Sequence, residues 1–391
     1  GKGIIDPCPL WDDNGEVYLV HAWAGSRAGV KSLLTVNKMN AEGTKVIDAG
    51  IHIYDGHDID NTIEGSKFYK RNGYYYIFAP AGGVSTGWQV VLRSKNVYGP
   101  YERKVVLEQG STKINGPHQG AWVETTNNES WFYHFQDLEA YGRVVHLQPM
   151  RWENDWPLMG EDFDKNGIGE PVTEYKKPNI EKSNPIETPV ETDNFDGFGI
   201  GLQWQWNANP NVVWHAKLPG NNYLRLFSIK VPEGVPNLWM IPNLLLQKFP
   251  APNFTATTKM SLFPEEAETG KTAGLIVMGK DYATLSITHD KKGYIIKQTE
   301  AINAINGSEE IINFEKRLKT NMAYFKIEVE APDGICLFSY SEDGKRFKKI
   351  GKPFKAQPGK WIGAKVGLFS ISSQEATRGG YADIDWFNIS K

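Results

Sequence analysis

A strand–turn–strand unit occurs three times in the first 150 residues, and it restricts the fold more than any other feature of the chain. The first copy has Leu10-Trp11, a turn at Asp13-Asn14-Gly15 and a strand running to Val20-His21. The second has Phe68-Tyr69, a turn at Arg71-Asn72-Gly73 and a strand from Tyr74 to Ala79; the third has Trp122-Val123, a turn at Asn127-Asn128-Glu129 and a strand from Trp131 to Phe135. Asn14 and Asn72 are 58 positions apart, and Asn72 and Asn128 are 56. A period of that size centred on a hairpin matches one blade of a β-propeller. Blades close radially and each needs a neighbour on both faces, so three copies predict further blades. The chain opens directly on a strand pattern with no signal peptide, and the expectation is that N-terminal blades precede Gly1.

No segment sustains a 3.6-residue apolar period over three turns, so the whole chain reads as all-β. Residues 176–194 hold three prolines and few large apolar side chains, the composition of a linker. Beyond them, strand patterns resume at Thr255–Leu262, Gly274–Met278, Thr284–Thr288, Tyr324–Glu330, Ile335–Tyr340, Lys365–Ile371 and Ala382–Ile389. Seven or more short strands in under 200 residues predict a β-sandwich. The division is therefore a partial propeller over 1–175, a linker over 176–194 and a sandwich over 195–391.

Charge and cysteine content narrow the function. With 43 Lys+Arg against 46 Asp+Glu, the net charge of −3 provides no basic field for nucleic acid or an anionic membrane. No run of 18 apolar residues is present, so no spanning helix is expected. Cys8 and Cys336 fit no paired metal or redox spacing and read as free thiols. The 13 Trp, 17 Tyr and 18 Phe suit sugar stacking and β cores equally.

Two carboxylates stand among small or apolar neighbours at blade starts: Asp6 in Gly3-Ile4-Ile5-Asp6-Pro7 and Glu64 in Asn61-Thr62-Ile63-Glu64-Gly65. The innermost strand of each blade lines the central channel, so both would project into one cavity. Partial desolvation there raises a carboxyl pKa, as a general acid requires. The plainer alternatives are a turn cap before Pro7 and a solvated loop glutamate.

The same residues resemble glycoside hydrolase family 43. The resemblance runs through Ile5-Asp6-Pro7, Trp11-Asp12-Asp13-Asn14-Gly15, Ile63-Glu64-Gly65, Gly116-Pro117-His118-Gln119-Gly120 and Gly142-Arg143 to Pro149-Met150. The second half resembles the concanavalin-like β-sandwich of the β-xylosidase and α-L-arabinofuranosidase members, through Phe195-Asp196-Gly197-Phe198, Gln203-Trp204-Gln205-Trp206-Asn207 and Gly380-Tyr381-Ala382-Asp383-Ile384-Asp385-Trp386-Phe387. The resemblance implies a five-bladed propeller and an exo-acting, inverting hydrolase with three carboxylates, releasing terminal xylose or arabinofuranose from plant polysaccharide side chains or oligosaccharides. Glu64 corresponds to the general acid and Asp6 to the carboxylate that orients it and raises its pKa. The base that activates water belongs to the family's first blade and has no matching position in this chain.

By the same resemblance, His118 sits in the channel near calcium or water, and Gln119 accompanies it. Calcium prefers oxygen ligands, so a role for His118 toward the metal is indirect. Arg143 would offer a donor fork to sugar hydroxyls, with a surface ion pair as the alternative. Trp88, after the small-residue loop Gly82–Gly87, reads as a sugar platform or a packing residue, as does Trp23, and Arg27 is equally open. Asp162–Glu170 imitates the start of an EF-hand loop, but Thr173 stands at its twelfth position, and a polar turn is the better reading. Ser308-Glu309-Glu310 reads as a solvated turn. No organic cofactor is implied. Two other functions fit the pattern: a carbohydrate-binding protein without turnover and an exo-galactanase of the same fold. A polysaccharide substrate implies a secreted or periplasmic protein rather than a cytoplasmic one.

Overall fold

The computed structural model describes residues 2–180, 185–217, 220–265, 269–374 and 379–391. It is all-β, with one four-residue helix at Gly25–Ala28 and a few single 3-10 turns. Among the described residues, no helix is long and apolar enough to cross a membrane.

Three four-stranded antiparallel sheets fill the first part of the chain, each meandering in sequence order. The first contains β1 (Ile4–Trp11), β2 (Val17–Trp23), β3 (Leu33–Met39) and β4 (Ile51–Asp55). The second contains β5 (Lys67–Arg71), β6 (Tyr74–Ala81), β7 (Trp88–Ser94) and β8 (Glu102–Leu107). The third contains β9 (His118–Glu124), β10 (Ser130–Asp137), β11 (Arg143–Glu153) and β12 (Trp156–Met159). These are three propeller blades, and each repeat turn falls between the first and second strand of its blade. The turns hold left-handed residues, with φ of 81° at Gly15, 49° at Asn72, 71° at Gly73 and 59° at Asn128. Glycine and asparagine tolerate that region, so these turns are marked in the sequence.

Apolar layers separate successive blades. Val20, Leu34, Val36, Phe68, Ile77, Ala79 and Val90 form a buried cluster from the first two blades. Tyr76, Phe78, Val91, Phe132, Met150 and Met159 form the next, from the second and third. The layers hold the blades in register and so fix where their strand ends meet.

The second part is a two-sheet sandwich, one sheet of eight strands and one of seven, around a core including Leu245, Met260, Leu275, Phe325, Leu368 and Phe387. All seven strands expected from the sequence are present, each longer by one to four residues. Phe254–Pro264 alternates buried and half-exposed residues along nearly its whole length, the mark of a sheet with one covered face.

Two units result: residues 1–137 with 143–185, and residues 138–142 with 186–391. The second is therefore discontinuous in sequence. Within it, Ala140 joins the sandwich core, its carbonyl accepts the Ala364 N–H at 2.7 Å, and the Tyr141 hydroxyl donates to the Pro252 carbonyl at 3.0 Å. The segment 176–194 is not free along its length. Asn179 pairs with Glu129 and Asn127 in the first unit, and Asp193 exchanges backbone hydrogen bonds with Phe387 in the second. Residues 181–184 of that segment lie outside the described residues.

Candidate active site

β1 carries a bulge between Ile5 and Cys8, with Asp6 in the left-handed region at φ 51°. Pro7 has no N–H for the ladder, and Asp tolerates this backbone conformation better than most residues, so Asp6-Pro7 is a local instruction to break pairing. The bulge lets Asp6 Oδ2 accept the Gly65 N–H at 2.8 Å, and the Asp6 carbonyl accepts the Ser66 hydroxyl at 3.3 Å. One carboxylate thus fixes the backbone immediately after Glu64. Gly65 is required there: its φ is +62°, and a Cβ would lie 2.9 Å from the Gln119 side chain.

On the other side of Glu64 stands His118, at the start of β9. Its Nε2 lies 3.3 Å from Glu64 Oε1; the imidazole is fully buried while the Glu64 side chain is 33% exposed. The carboxyl is thus braced on one side by a buried imidazole and open on the other. His118 Nδ1 is buried without a partner. Gln119, at φ 53°, lies over Gly65. Asp6, Glu64, His118 and Gln119 therefore come together at the starts of successive blades.

Arg143 stacks 4.5 Å above the Phe135 ring, and Phe135 packs against His118 at 5.8 Å between ring centroids. The guanidinium is linked to the Glu64 pair through an aromatic ring; its Nε is buried without a partner. Trp88 and Trp23 are both tied into the first unit's framework. Trp88 donates from Nε1 to Asp60 at 2.9 Å and lies against Gly82. Trp23 donates to the Thr35 hydroxyl at 2.8 Å and packs edge-on against His21 and His52. Arg27 is exposed on the short helix, away from these pairings.

The sequence did not disclose Asp60. Fully buried, it receives a two-pronged ion pair from Arg103, with Nε and Nη2 each at 2.6 Å, as well as the Trp88 bond and one from the Tyr54 hydroxyl. Burial pushes its carboxyl up, but the hydrogen bonds and the Arg103 charge outweigh that and hold it below the usual carboxylate range. Asp60 lies four residues before Glu64 and anchors the loop bearing the acid to β4, β7 and β8. The loop is pinned again by Glu64 N–H to the Pro80 carbonyl at 3.1 Å and Thr62 N–H to the Ser32 hydroxyl at 2.8 Å.

Among the described residues no group of three or more His, Cys, Asp or Glu side chains is arranged to hold a metal. One imidazole beside one carboxylate does not make an oxygen cage, so the set around His118 does not fit direct calcium ligation. In the acidic loop at 162–170, Asp162 and Asp164 accept backbone N–H groups of Asn166, and Asp162 also that of Gly167. It is a polar turn. Glu309 and Glu310 are exposed, as a solvated turn has it, and Glu310 Oε1 also accepts the hydroxyl of buried Tyr282 at 2.6 Å.

Residues 1–157 match the model for glycosyl hydrolases family 43, and residues 192–390 match that for the beta xylosidase C-terminal concanavalin A-like domain. The chain belongs to glycosyl hydrolases family 43. A Xylanibacter ruminicola protein provisionally named a beta-xylosidase is 40% identical over 94% of the family 43 chain and 65% of its own length. A beta-xylosidase of Formosa agariphila is 32% identical over 98% of this chain and 69% of that protein. The chain thus spans about two thirds of these relatives. The solved xylan beta-1,4-xylosidase of Bacillus halodurans superposes with a TM-score of 0.83 over 99% of this chain and 76% of that one; at 22% identity, the likeness is one of fold.

Proposed function

We propose that this chain supplies the acid side of an exo-acting, inverting glycosidase centre that releases terminal xylose or arabinofuranose from plant polysaccharide side chains or oligosaccharides. The observation that carries the reading is the bracing of Glu64: Gly65 N–H held by Asp6 at 2.8 Å on one side, His118 Nε2 at 3.3 Å on the other. Glu64 protonates the departing glycosidic oxygen, Asp6 orients it, and Arg143, Gln119, Trp88 and Trp23 are the candidates for sugar contacts. Inversion also needs a base on the opposite face of the ring, separated from the acid by room for one water. Among the described residues, none brought to this site takes that part. The orphan Nδ1 of His118 is free to meet water or, indirectly, calcium, and no organic cofactor enters the reading.

The names of the two relatives favour xylose. A polysaccharide substrate places the protein outside the cytoplasm, secreted or periplasmic. The test is a proton NMR time course with aryl β-xylopyranoside and aryl α-L-arabinofuranoside together. Release of one sugar with inverted anomeric configuration supports the reading and names the substrate. Retained configuration overturns it, and no release from folded protein accords with a base that this chain does not supply.

A further inference from the structure

The outward face of the seven-stranded sheet in the second unit is built unlike an ordinary solvated sheet. Three of its strands, Leu224–Phe227, Gly380–Ser390 and Phe254–Pro264, lie side by side, and Met322–Glu330 follows. Register places Phe227, Tyr381 and Phe263 in one row, and Tyr324, Lys259 and Trp386 in another. Phe263 and Tyr381 stack at 5.1 Å, and Tyr324 and Trp386 are 6.4 Å apart. All four rings are partly open to solvent. The rows are four residues apart on Phe254–Pro264, about 13 Å at 3.3 Å per residue, the reach of a short oligosaccharide.

Between and beside the rows run charges already paired with one another. Arg225 makes two hydrogen bonds to Asp383, at 2.8 and 2.9 Å, and lies 3.7 Å over the Tyr381 ring; Lys259 pairs with Asp385. Because cations and carboxylates cancel, the face has no net attraction for a polyanion. An apolar protein surface would strip these ion pairs of water without replacing their hydrogen bonds. A neutral, hydroxyl-rich chain meets neither objection, since its C–H faces suit the rings and its hydroxyls the paired charges.

We propose that this sheet face is a glycan-binding surface, distinct from the Glu64 centre, which takes a neutral xylan-type chain between the Phe263–Tyr381 and Tyr324–Trp386 ring pairs. The choice of xylan rests on the function proposed above. The test uses the full chain carrying Glu64→Gln and follows the Trp386 indole N–H resonance, identified with Trp386→Phe, as β-1,4-xylohexaose is added. The expected result is a shift that saturates by roughly the millimolar range. Ser261→Arg, which sets a long side chain between the ring pairs, should weaken binding by roughly tenfold or more and leave aryl-glycoside turnover of the Glu64-intact protein unchanged. A flat titration overturns the proposal, as does one that Ser261→Arg leaves unaltered. So does a sugar-independent shift that grows with protein concentration and doubles the mass, which would make the face a contact with a second copy. Turnover is read separately, so loss of either function is distinguishable from loss of the other.

Discussion

Glu64 and Asp60 are four residues apart on one loop, yet their surroundings set opposite tasks. Glu64 is one-third exposed with a buried imidazole behind it, open to a ligand on one side. Asp60 is sealed and surrounded by donors, suited to remain ionised. Glu64→Gln should lower turnover of substrates with poor leaving groups by roughly 10²–10⁴-fold and spare activated aryl glycosides by comparison. Near-wild-type turnover on an alkyl glycoside would remove Glu64 from the acid role. Arg103→Met leaves the Asp60 carboxylate buried and unpaired, a change that costs about 3–5 kcal/mol in comparable buried pairs. The Asp60 pKa is depressed in the folded protein, so the pair contributes stability above the ordinary aspartate range and loses it as pH falls through the folded value. The gap between wild type and Arg103→Met in urea unfolding should be widest near neutrality and close on acidification. A gap independent of pH would show that the ion pair is not its source.

At the level of strands, β10 and β11 set His134 directly opposite His146, the rings stacked at 5.4 Å. Burial pushes His134 down to about 4, only partly opposed by its bond to the Phe135 carbonyl. A histidine held neutral in the fold but free to protonate when unfolded stabilises above its unfolded value near 6.5 and loses that contribution as pH falls toward 4. Unfolding free energy should therefore drop between those values by on the order of 3 kcal/mol from this group, and His134→Gln should flatten the slope. An unchanged slope would place the pH dependence elsewhere. Strands were legible in the sequence where turns or an alternating burial mark them; Gly293–Ala301, largely buried between two neighbours, was missed because its buried residues come in adjacent pairs and show no period of two. The blade hairpins announced themselves through left-handed Asn and Gly, and the long sandwich strands through alternation. Ile311–Leu318 and Lys348–Lys355 were missed because they are edge strands exposed along most of their length, with no covered face to impose a period of two. The site divides in the same way. Asp6, Glu64 and His118 sit at equivalent places in successive repeats, so the repeat brings them together. Asp60 meets Arg103 from 43 positions away, out of the charged run Glu102-Arg103-Lys104, and no local pattern marks such a pair.

For the molecule as a whole, the sequence division into 1–175 and 195–391 misses that the second unit also draws on residues 138–142. Those five residues lie between β10 and β11, where composition signals no boundary. What assigns them is packing: Ala140 is 3% exposed in one apolar cluster with Phe254, Ala356 and Ala364, and Gly363 approaches so closely that a Cβ there would lie 2.7 Å from the Ala140 carbonyl oxygen. A carboxylate at position 140 would enter that cluster without a partner, a burial that costs several kcal/mol unless the local structure opens. Ala140→Asp should therefore destabilise the sandwich although it is written into the sequence of the propeller. Hydrogen exchange resolved by peptide is the measurement, since it reads each unit separately. Amides of Lys365–Ser372 and Phe254–Pro264 should lose protection while those of β5 to β8 keep theirs. Loss confined to β10 and β11, with the sandwich strands unchanged, would show that 138–142 belongs energetically to the unit whose sequence surrounds it.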